Sequence, residues 1–266
     1  MDKKKRINKI IDDIKKVKIQ GARNIAKSAL YAYSLLPTKA TKLKLIKARA
    51  TEPMLVNTLK HYEKFGKEKT LRHFQEAQEK INRLIIKLIK NDFIIFTHCH
   101  STNVVNALIY AKKQGKKFQV YNTETRPLFQ GRITSKELRK AGIKVTMFVD
   151  SGMDDAITEA NIIFLGADAI LSSGIINKIG SEAIAEIAYL RKKPVYIIAD
   201  SWKYAKHIKL EKRNFKEVWK NAPKNIKIKN PAFEFVPGKY IKAVVSELGI
   251  LNLSQFVKKA KANLLF

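Results

Sequence analysis

The residue types best suited to chemistry gather in "THCHS", residues 97–101, directly after the apolar run "FIIF". This stretch holds Cys99, the only cysteine of the chain, between His98 and His100. Such a trio could belong to a metal site, could supply a nucleophile or base, or could contain an ordinary buried cysteine. Zinc needs three or four ligands, and successive side chains of an extended strand point to opposite sides, so Cys99 would not share a face with the histidines. We therefore expect no metal at this trio.

The position of Cys99 favours a functional role over a purely structural one. It follows a predicted strand, and ligands of parallel α/β sheets bind beyond the carboxyl ends of the strands. A helix beginning just after it would lower the pKa of the thiol and favour the thiolate. Asp168, in "FLGADAI", also follows an apolar run. Aspartate often marks a turn, but a partly buried carboxyl group has a raised pKa and can act as a general acid. A thiolate and a protonated carboxyl group predict an acid–base pair that moves protons on a sugar.

The elements that must position these residues change in character near residue 91. Before it, apolar residues recur at helical spacing in "KKRINKIIDDIKKVK", "ARNIAKSALYAYSLL" and "KTLRHFQEAQEKINRLIIKLIK". No strand is predicted before Phe93. The pattern predicts an N-terminal all-helical domain over residues 1–90.

From residue 91 onward, short apolar runs alternate with helical stretches. The runs are "FIIFT", "FQVYN", "KVTMFV", "NIIFLG" and "PVYIIA". Alternation of this kind predicts the α/β class, with a Rossmann-like, mainly parallel sheet domain over residues 91–266. A polar loop follows each run, so the loops should meet at one edge of the sheet. Because neither a dinucleotide fingerprint nor a P-loop is present, we expect no nucleotide-type organic cofactor.

Composition limits the class of protein and its partners. Lys and Arg number 53 against 23 Asp and Glu, a formal net charge of +30, which attracts RNA, ribosomes or phosphorylated metabolites. The lysines are scattered, and the sequence shows no patch of interleaved aromatic and basic residues, so general compositional bias is favoured over a nucleic-acid or translation partner. One cysteine excludes an intrachain disulfide and fits a reducing, cytoplasmic location. We expect no membrane span and no signal peptide.

A set of motifs then resembles a known family. "THCHS", "TETRPLFQG", "GADAI", "INKIG" and "NPAFEFVP" occur in this order, and the resemblance is strong from residue 91 onward. The chain is similar to the superfamily that unites sugar-phosphate aldose–ketose isomerases with the regulatory subunits of eukaryotic translation initiation factor 2B. Within it, the motifs look most like those of archaeal ribose 1,5-bisphosphate isomerases, which make ribulose 1,5-bisphosphate in AMP salvage. The resemblance implies an isomerase of a phosphorylated pentose that needs no cofactor and forms a homo-oligomer, a dimer or a hexamer.

The resemblance also implies roles for individual residues. Cys99 would remove the proton at sugar C2, while Asp168 would protonate the ring oxygen and assist ring opening. The substrate would be bound by residues of the helical part and of the strand-end loops: Gly21, Ala22, Arg23, Arg49, Ser101, Thr102, Asn103, Gln130, Asn177, Lys178 and Lys203. Asn177 and Lys178 combine an amide with an ammonium group, which suits a phosphate.

One loop departs from the isomerase pattern and keeps a second interpretation open. Where the isomerases carry Arg-Gly-Ala-Gly at the start of the second helix, this chain has "QGAR", Gln20 to Arg23. Either Arg23 reaches the phosphate from its shifted place, or that phosphate site is weakened. The alternative is a non-catalytic subunit similar to initiation factor 2B that binds a nucleotide, a sugar phosphate or a translation partner. The altered loop and the +30 charge favour this alternative, and the Cys99–Asp168 pair favours the enzyme.

Overall fold

The computed structural model describes residues 2–210 and 213–264, and its first part is helical as predicted. The helices before the first strand are α1 (Lys3–Lys15), α2 (Ala22–Leu35), α3 (Lys39–Ala48) and α4 (Pro53–Ile85). The apolar stripe of α1 packs against α2 because Ile7, Ile11 and Ile14 recur on one face, and these three side chains are buried. Gly66 adopts a left-handed conformation, with φ of 80°, and bends α4.

The second part is a sheet with helices on its faces. Its elements in chain order are β1 (Phe93–Thr97), α5 (Thr102–Lys113), β2 (Phe118–Thr123), α6 (Gln130–Lys140), β3 (Lys144–Phe148), α7 (Met153–Glu159), β4 (Ile162–Leu165), β5 (Ala169–Ile170), β6 (Gly174–Lys178), α8 (Ser181–Leu190), β7 (Val195–Ile198), β8 (Phe233–Pro237), β9 (Ala243–Ser246), β10 (Gly249–Leu251) and α9 (Leu253–Asn263). Seven strands form one sheet in the order β10-β9-β7-β4-β1-β2-β3. Every pair in it is parallel except β9 with β10. The predicted fold class is therefore confirmed.

The strand order reverses direction between β1 and β4. From β1 the chain proceeds outward through β2 to β3, and from β4 it proceeds the other way through β7. Such a reversal leaves a crevice at the carboxyl ends of the two central strands, which is where open α/β sheets bind ligands. The fold thus marks the edge beyond β1 and β4 as the expected site.

A second, antiparallel sheet of three strands lies beside the first and was not predicted. Its order is β5-β6-β8. β5 is only two residues long, and no helix separates it from β6, so the strand–helix alternation gives no sign of it. This small sheet carries Asn177 and Lys178 at the end of β6.

Helix α4 connects the helical part with the sheet. Leu55 and Leu59 near its start pack into the helical core, whereas Ile81 and Ile85 near its end pack with α5 and the sheet. The division at residue 90 stays a prediction, since α4 belongs to both cores. Within residues 2–210 and 213–264, no helix is long and apolar enough to cross a membrane.

Candidate active site

A cavity of about 440 Å³ lies between the helical part and the carboxyl edge of the large sheet. Its volume suits a small metabolite. Every residue predicted to bind or transform a substrate lines it: Gly21, Ala22, Arg23, Arg49, Cys99, Ser101, Thr102, Asn103, Gln130, Asp168, Asn177, Lys178 and Lys203. Cys99 follows β1 and Asp168 follows β4, so the two residues flank the point where the strand order reverses. The structure brings the predicted residues together, and their roles stay predictions.

The turn that presents Cys99 is unusual and firmly held. Cys99 has a φ of 63°, a left-handed conformation that costs a residue other than glycine about 1–3 kcal/mol. Its backbone N–H donates to the hydroxyl of Thr125 at 3.0 Å, and its carbonyl accepts from the hydroxyl of Thr134 at 2.8 Å. These two hydrogen bonds hold the strained turn, because they fix both peptide groups that flank the Cys99 side chain.

The electrostatics at Cys99 contradict one expectation. Burial raises the pKa of the Cys99 thiol to about 12; the ammonium group of Lys178 opposes this rise, while Asp168 and Asp150 add to it. The prediction that the start of the following helix would favour a thiolate is therefore wrong. α5 does begin at Thr102, but desolvation of the sulphur is the largest influence on the pKa of the thiol.

Asp168 is partly buried, as expected, and its loop touches the Cys99 loop. Its backbone N–H donates to the carbonyl of Ile176 at 2.8 Å, which joins the end of β4 to the small sheet. Gly166 packs so closely on the loop after β1 that a Cβ at this position would lie 2.7 Å from both Cβ and Oγ of Ser101. A glycine is therefore needed at position 166 for the two loops to meet at this distance.

Positive charge dominates the cavity wall. The cations that line it are Lys18, Arg23, Arg49, Lys178, Lys203 and Arg213, and the carboxylates are Glu52, Glu137, Asp168 and Glu217. Arg49, Lys178 and Lys203 are each less than a tenth exposed. Burying a charge is costly unless an opposite charge compensates it, and Arg49 already lies 3.9 Å from the buried carboxylate of Glu52. The excess of cations over carboxylates in the lining still favours an anionic ligand such as a phosphate.

Two buried polar atoms of the cavity lining also favour a polar ligand. The hydroxyl oxygen of Ser101 and the amide oxygen of Gln130 are buried, and neither makes a hydrogen bond within the described part of the chain. Buried polar atoms in native proteins are usually hydrogen-bonded, and exceptions often mark a binding function. By contrast, Asn103 is already engaged, because its amide donates to Gln78 Oε1 at 3.0 Å.

The "QGAR" loop lies at the helical wall of the cavity. Gly21 precedes α2 with a φ of 82° and lets the chain turn into the helix. Arg23 lines the cavity, but its terminal nitrogens donate to the carbonyl of Phe74 at 2.7 Å and to Gln78 Oε1 at 3.2 Å. Arg23 is therefore bound to α4 in this structure, and a phosphate would have to compete with those two acceptors.

The histidines beside Cys99 have structural partners. His98 contacts the hydroxyl of Thr123 through Nδ1 at 2.5 Å and the carbonyl of Ile179 through Nε2 at 2.9 Å. Burial lowers the pKa of His98 to about 4, so its ring is neutral at physiological pH. The Nδ1 atom of His100 lies 3.1 Å from the hydroxyl of Thr134. Both nitrogens of His98 are occupied, which supports the expectation that this trio holds no metal; that expectation stays a prediction.

Sequence reasoning missed a cluster of titratable groups behind Lys203. Within the described ranges, only His73, Asp200 and Glu247 come close enough together to be considered as metal ligands, with their ligand atoms inside 4.8 Å of one another. His73 Nε2 lies 3.1 Å from Asp200 Oδ1, and both carboxylates also accept backbone N–H groups of the turn at 201–203. Because that turn ends at Lys203, the cluster holds Lys203 at the cavity. No sequence spacing relates positions 73, 200 and 247.

Three comparisons with known proteins are consistent with this geometry. Residues 37–253 match the Initiation factor 2 subunit family. The ribose 1,5-bisphosphate isomerase of Methanocaldococcus jannaschii is 34% identical, and the match covers 92% of this chain and 91% of that protein. A crystal structure of a Pyrococcus horikoshii translation initiation factor eIF-2B is 26% identical with a TM-score of 0.85, covering 95% of this chain and 98% of that one. The 5-methylthioribose 1-phosphate isomerase of P. horikoshii shares the fold, with a TM-score of 0.76, 20% identity, and coverage of 97% and 88%.

Proposed function

Because the chain belongs to the Initiation factor 2 subunit family, we propose that it is an aldose–ketose isomerase acting on a phosphorylated pentose. The proposed reaction converts ribose 1,5-bisphosphate to ribulose 1,5-bisphosphate. One observation carries the proposal: a thiol and a carboxyl group, Cys99 and Asp168, line one cationic cavity in a chain that is 34% identical to an isomerase of that name.

The two side chains would divide the proton transfers between them. Asp168 would donate a proton to the ring oxygen as the bond between that oxygen and C1 breaks, and Cys99 would remove the proton from C2. Cys99 would then return its proton to C1, and Asp168 would recover one from the C2 hydroxyl group. The sugar thereby gains a carbonyl group at C2, both side chains are restored, and no cofactor is needed.

The raised pKa of Cys99 sets a condition on this mechanism. The sulphur must be a thiolate to accept the C2 proton, whereas burial holds the pKa of the resting thiol at about 12. The ammonium group of Lys178 and the backbone N–H of His100 are the local groups that lower the pKa of this thiol and so favour a thiolate. Binding of the substrate would therefore have to bring the sulphur under stronger influence of these groups before the proton is removed.

The substrate phosphates would be held by the buried cations. Lys178 and Lys203 stand on the sheet side of the cavity, and Arg49 stands on the helical side. Ser101 and Gln130 offer polar atoms without a partner for sugar hydroxyl groups or phosphate oxygens. A doubly phosphorylated sugar suits this arrangement because several cations line one cavity.

The same proposal includes assembly and pathway. We propose a homo-oligomer, a dimer or a hexamer, and a place in AMP salvage. Self-association is supported by Tyr189 and Leu190 at the end of α8, which are 61% and 73% exposed. Exposed neighbouring apolar side chains are a common mark of a protein interface.

The competing function is a non-catalytic subunit similar to initiation factor 2B. It is favoured by the raised pKa of Cys99 and by Arg23, whose nitrogens are bound to α4. A translation partner would then take the place of a substrate. This alternative predicts that the cavity binds a sugar phosphate or a nucleotide without turnover.

Turnover of ribose 1,5-bisphosphate by the wild type and by C99S and D168N decides between the two. We expect turnover by the wild type and a loss of about 10²–10⁴-fold in each variant, because each replacement keeps the shape but removes a transferable proton or its acceptor. Thermal shift by the substrate is the control and should persist in both variants. A wild type that binds this sugar without isomerising it contradicts the enzyme, and full activity of C99S contradicts the mechanism alone.

A further inference from the structure

A basic and aromatic surface lies on the irregular chain between β7 and β8, and the proposed reaction does not use it. Residues 213–229 contain six Lys or Arg and a single acidic residue, Glu217, whereas the whole chain has 53 against 23. Glu217 forms an ion pair with Arg213, so the segment offers no acidic residue of its own to the remaining cations. Those cations are five lysines, and all are exposed: Lys216, Lys220, Lys224, Lys227 and Lys229.

One helical turn brings two aromatic rings together in this segment. The backbone N–H of Trp219 donates to the carbonyl of Phe215 at 3.2 Å, so these residues stand four apart on one side of the turn. Phe215 is 46% exposed and Trp219 is 49% exposed. Lys216 and Lys220 follow them directly in the chain and are also four apart. We call Phe215, Lys216, Trp219 and Lys220 the basic-aromatic patch.

The patch is fixed to the body of the protein. Arg126 donates through Nη2 to the carbonyl of Val218 at 2.9 Å, and the amide of Asn230 donates to the carbonyl of Asn214 at 2.9 Å. The side chain of Asn214 accepts the backbone N–H of Lys216 at 2.9 Å and so caps the turn. The backbone that carries the two rings is therefore held in place, which lowers the entropy cost of stacking a ligand on them.

We propose that the basic-aromatic patch binds a single-stranded nucleic acid. Proteins bind single strands by combining cations that follow the phosphates with aromatic rings on which bases stack, and this patch presents both within one turn. A second copy of the chain is disfavoured as the partner, because two such surfaces would bring five exposed lysines against five. Sequence inspection found no patch of this kind because only the turn aligns Phe215 with Trp219.

Fluorescence anisotropy of a labelled 12-nucleotide oligouridine, measured between 50 and 200 mM salt, tests the proposal. We expect W219A to bind about 5- to 150-fold more weakly, the effect of one lost base stack, and W219F to bind nearly as well as the wild type. K216Q/K220Q should lower the slope of log affinity against log salt by about 1.4, since each lost phosphate contact removes about 0.7. K258Q/K259Q on α9 makes the same charge change at exposed positions and should bind like the wild type.

Several outcomes would overturn the proposal. Absence of binding at 50 mM salt would do so directly. If W219A and the wild type bind the oligonucleotide equally well, only a diffuse attraction to positive charge explains the binding. If the wild type binds a duplex as tightly as the single strand, no base is stacked on the rings. Stronger binding to phosphatidylserine vesicles than to the oligonucleotide would assign the patch to a lipid surface. An oligomer that W219A dissociates, without any nucleic-acid binding by the wild type, would assign the patch to self-association.

Discussion

The reactivity of Cys99 gives the most direct test of the electrostatics of the cavity. A thiol with a pKa of about 12 carries roughly three thousand-fold less thiolate near neutral pH than a free thiol with a pKa of about 8.5. A thiolate of higher pKa is intrinsically more nucleophilic. With a Brønsted coefficient of about 0.4–0.5, the thiolate with a pKa of about 12 reacts about 25- to 55-fold faster than the thiolate with a pKa of about 8.5. We therefore expect folded, unliganded protein to react with a small aromatic disulfide about 100-fold more slowly than the same chain unfolded in guanidinium.

The assay is unambiguous because Cys99 is the only thiol of the chain. Its pH dependence separates a raised pKa from simple obstruction of the reagent. A raised pKa predicts a rate that climbs tenfold per pH unit without levelling up to pH ~10. Obstruction alone would lower the rate equally at all pH values and leave the midpoint near 8.5. A midpoint at or below 8.5 would refute the argument that burial controls this thiol, whatever the absolute rate.

Three further predictions concern the loops and titratable groups around the cavity. G166A should destabilise the protein by about 1–3 kcal/mol in urea unfolding, because its Cβ would meet Ser101 at 2.7 Å. Adding S101G to G166A should restore stability. A G166A variant as stable as the wild type would contradict the close contact. The pKa of His98 is lowered to about 4 in the folded state, against about 6.5 in the unfolded chain. The contribution of His98 to the free energy of unfolding is therefore fully present above pH 6.5, and about 3 kcal/mol of it is lost as the pH drops to 4. H98Q should lose this pH dependence of stability, and an unchanged dependence would assign it to other groups. Burial raises the pKa of Glu247 to about 7, against about 4.3 in the unfolded chain, so its contribution to stability is lost as the pH rises from about 4.3 to 7. Unfolding measured across that interval should show E247Q gaining stability relative to the wild type. A relative loss of stability in E247Q would contradict this.

The central architecture and the position of the site could be predicted from the sequence because one physical rule connects them. Strands buried on both faces consist of consecutive apolar residues, and the carboxyl ends of parallel strands meet at one edge of the sheet. Cys99 and Asp168 each follow such a run, and β1 and β4 prove to be neighbours. The order of the strands could not be predicted in detail, yet the common edge alone was enough to place both residues at one cavity.

The features that sequence reasoning missed depend on distances in space. The pKa of Cys99 is governed by desolvation, which is a property of the folded environment and has no local signal in "THCHS". His73, Asp200 and Glu247 come from α4, the end of β7 and the turn after β9, so their association depends on how α4 lies on the sheet. The small antiparallel sheet was not predicted because β5, with two residues, is too short to show an apolar strand pattern.

The two walls of the cavity have separate structural supports, and this bears on how such a protein can evolve. Cys99 and Asp168 stand on loops that follow strands of the large sheet, whereas Gly21 ends the connection between α1 and α2, and Ala22 and Arg23 begin α2. Substitutions at Gly21 to Arg23 would change the helical wall of the cavity and leave Cys99 and Asp168 in place. If Cys99 and Asp168 transfer protons as proposed, their replacement would end the reaction and leave a cavity that still binds the ligand. On that proposal, a lineage with this fold would exchange catalysis for sensing through very few mutations.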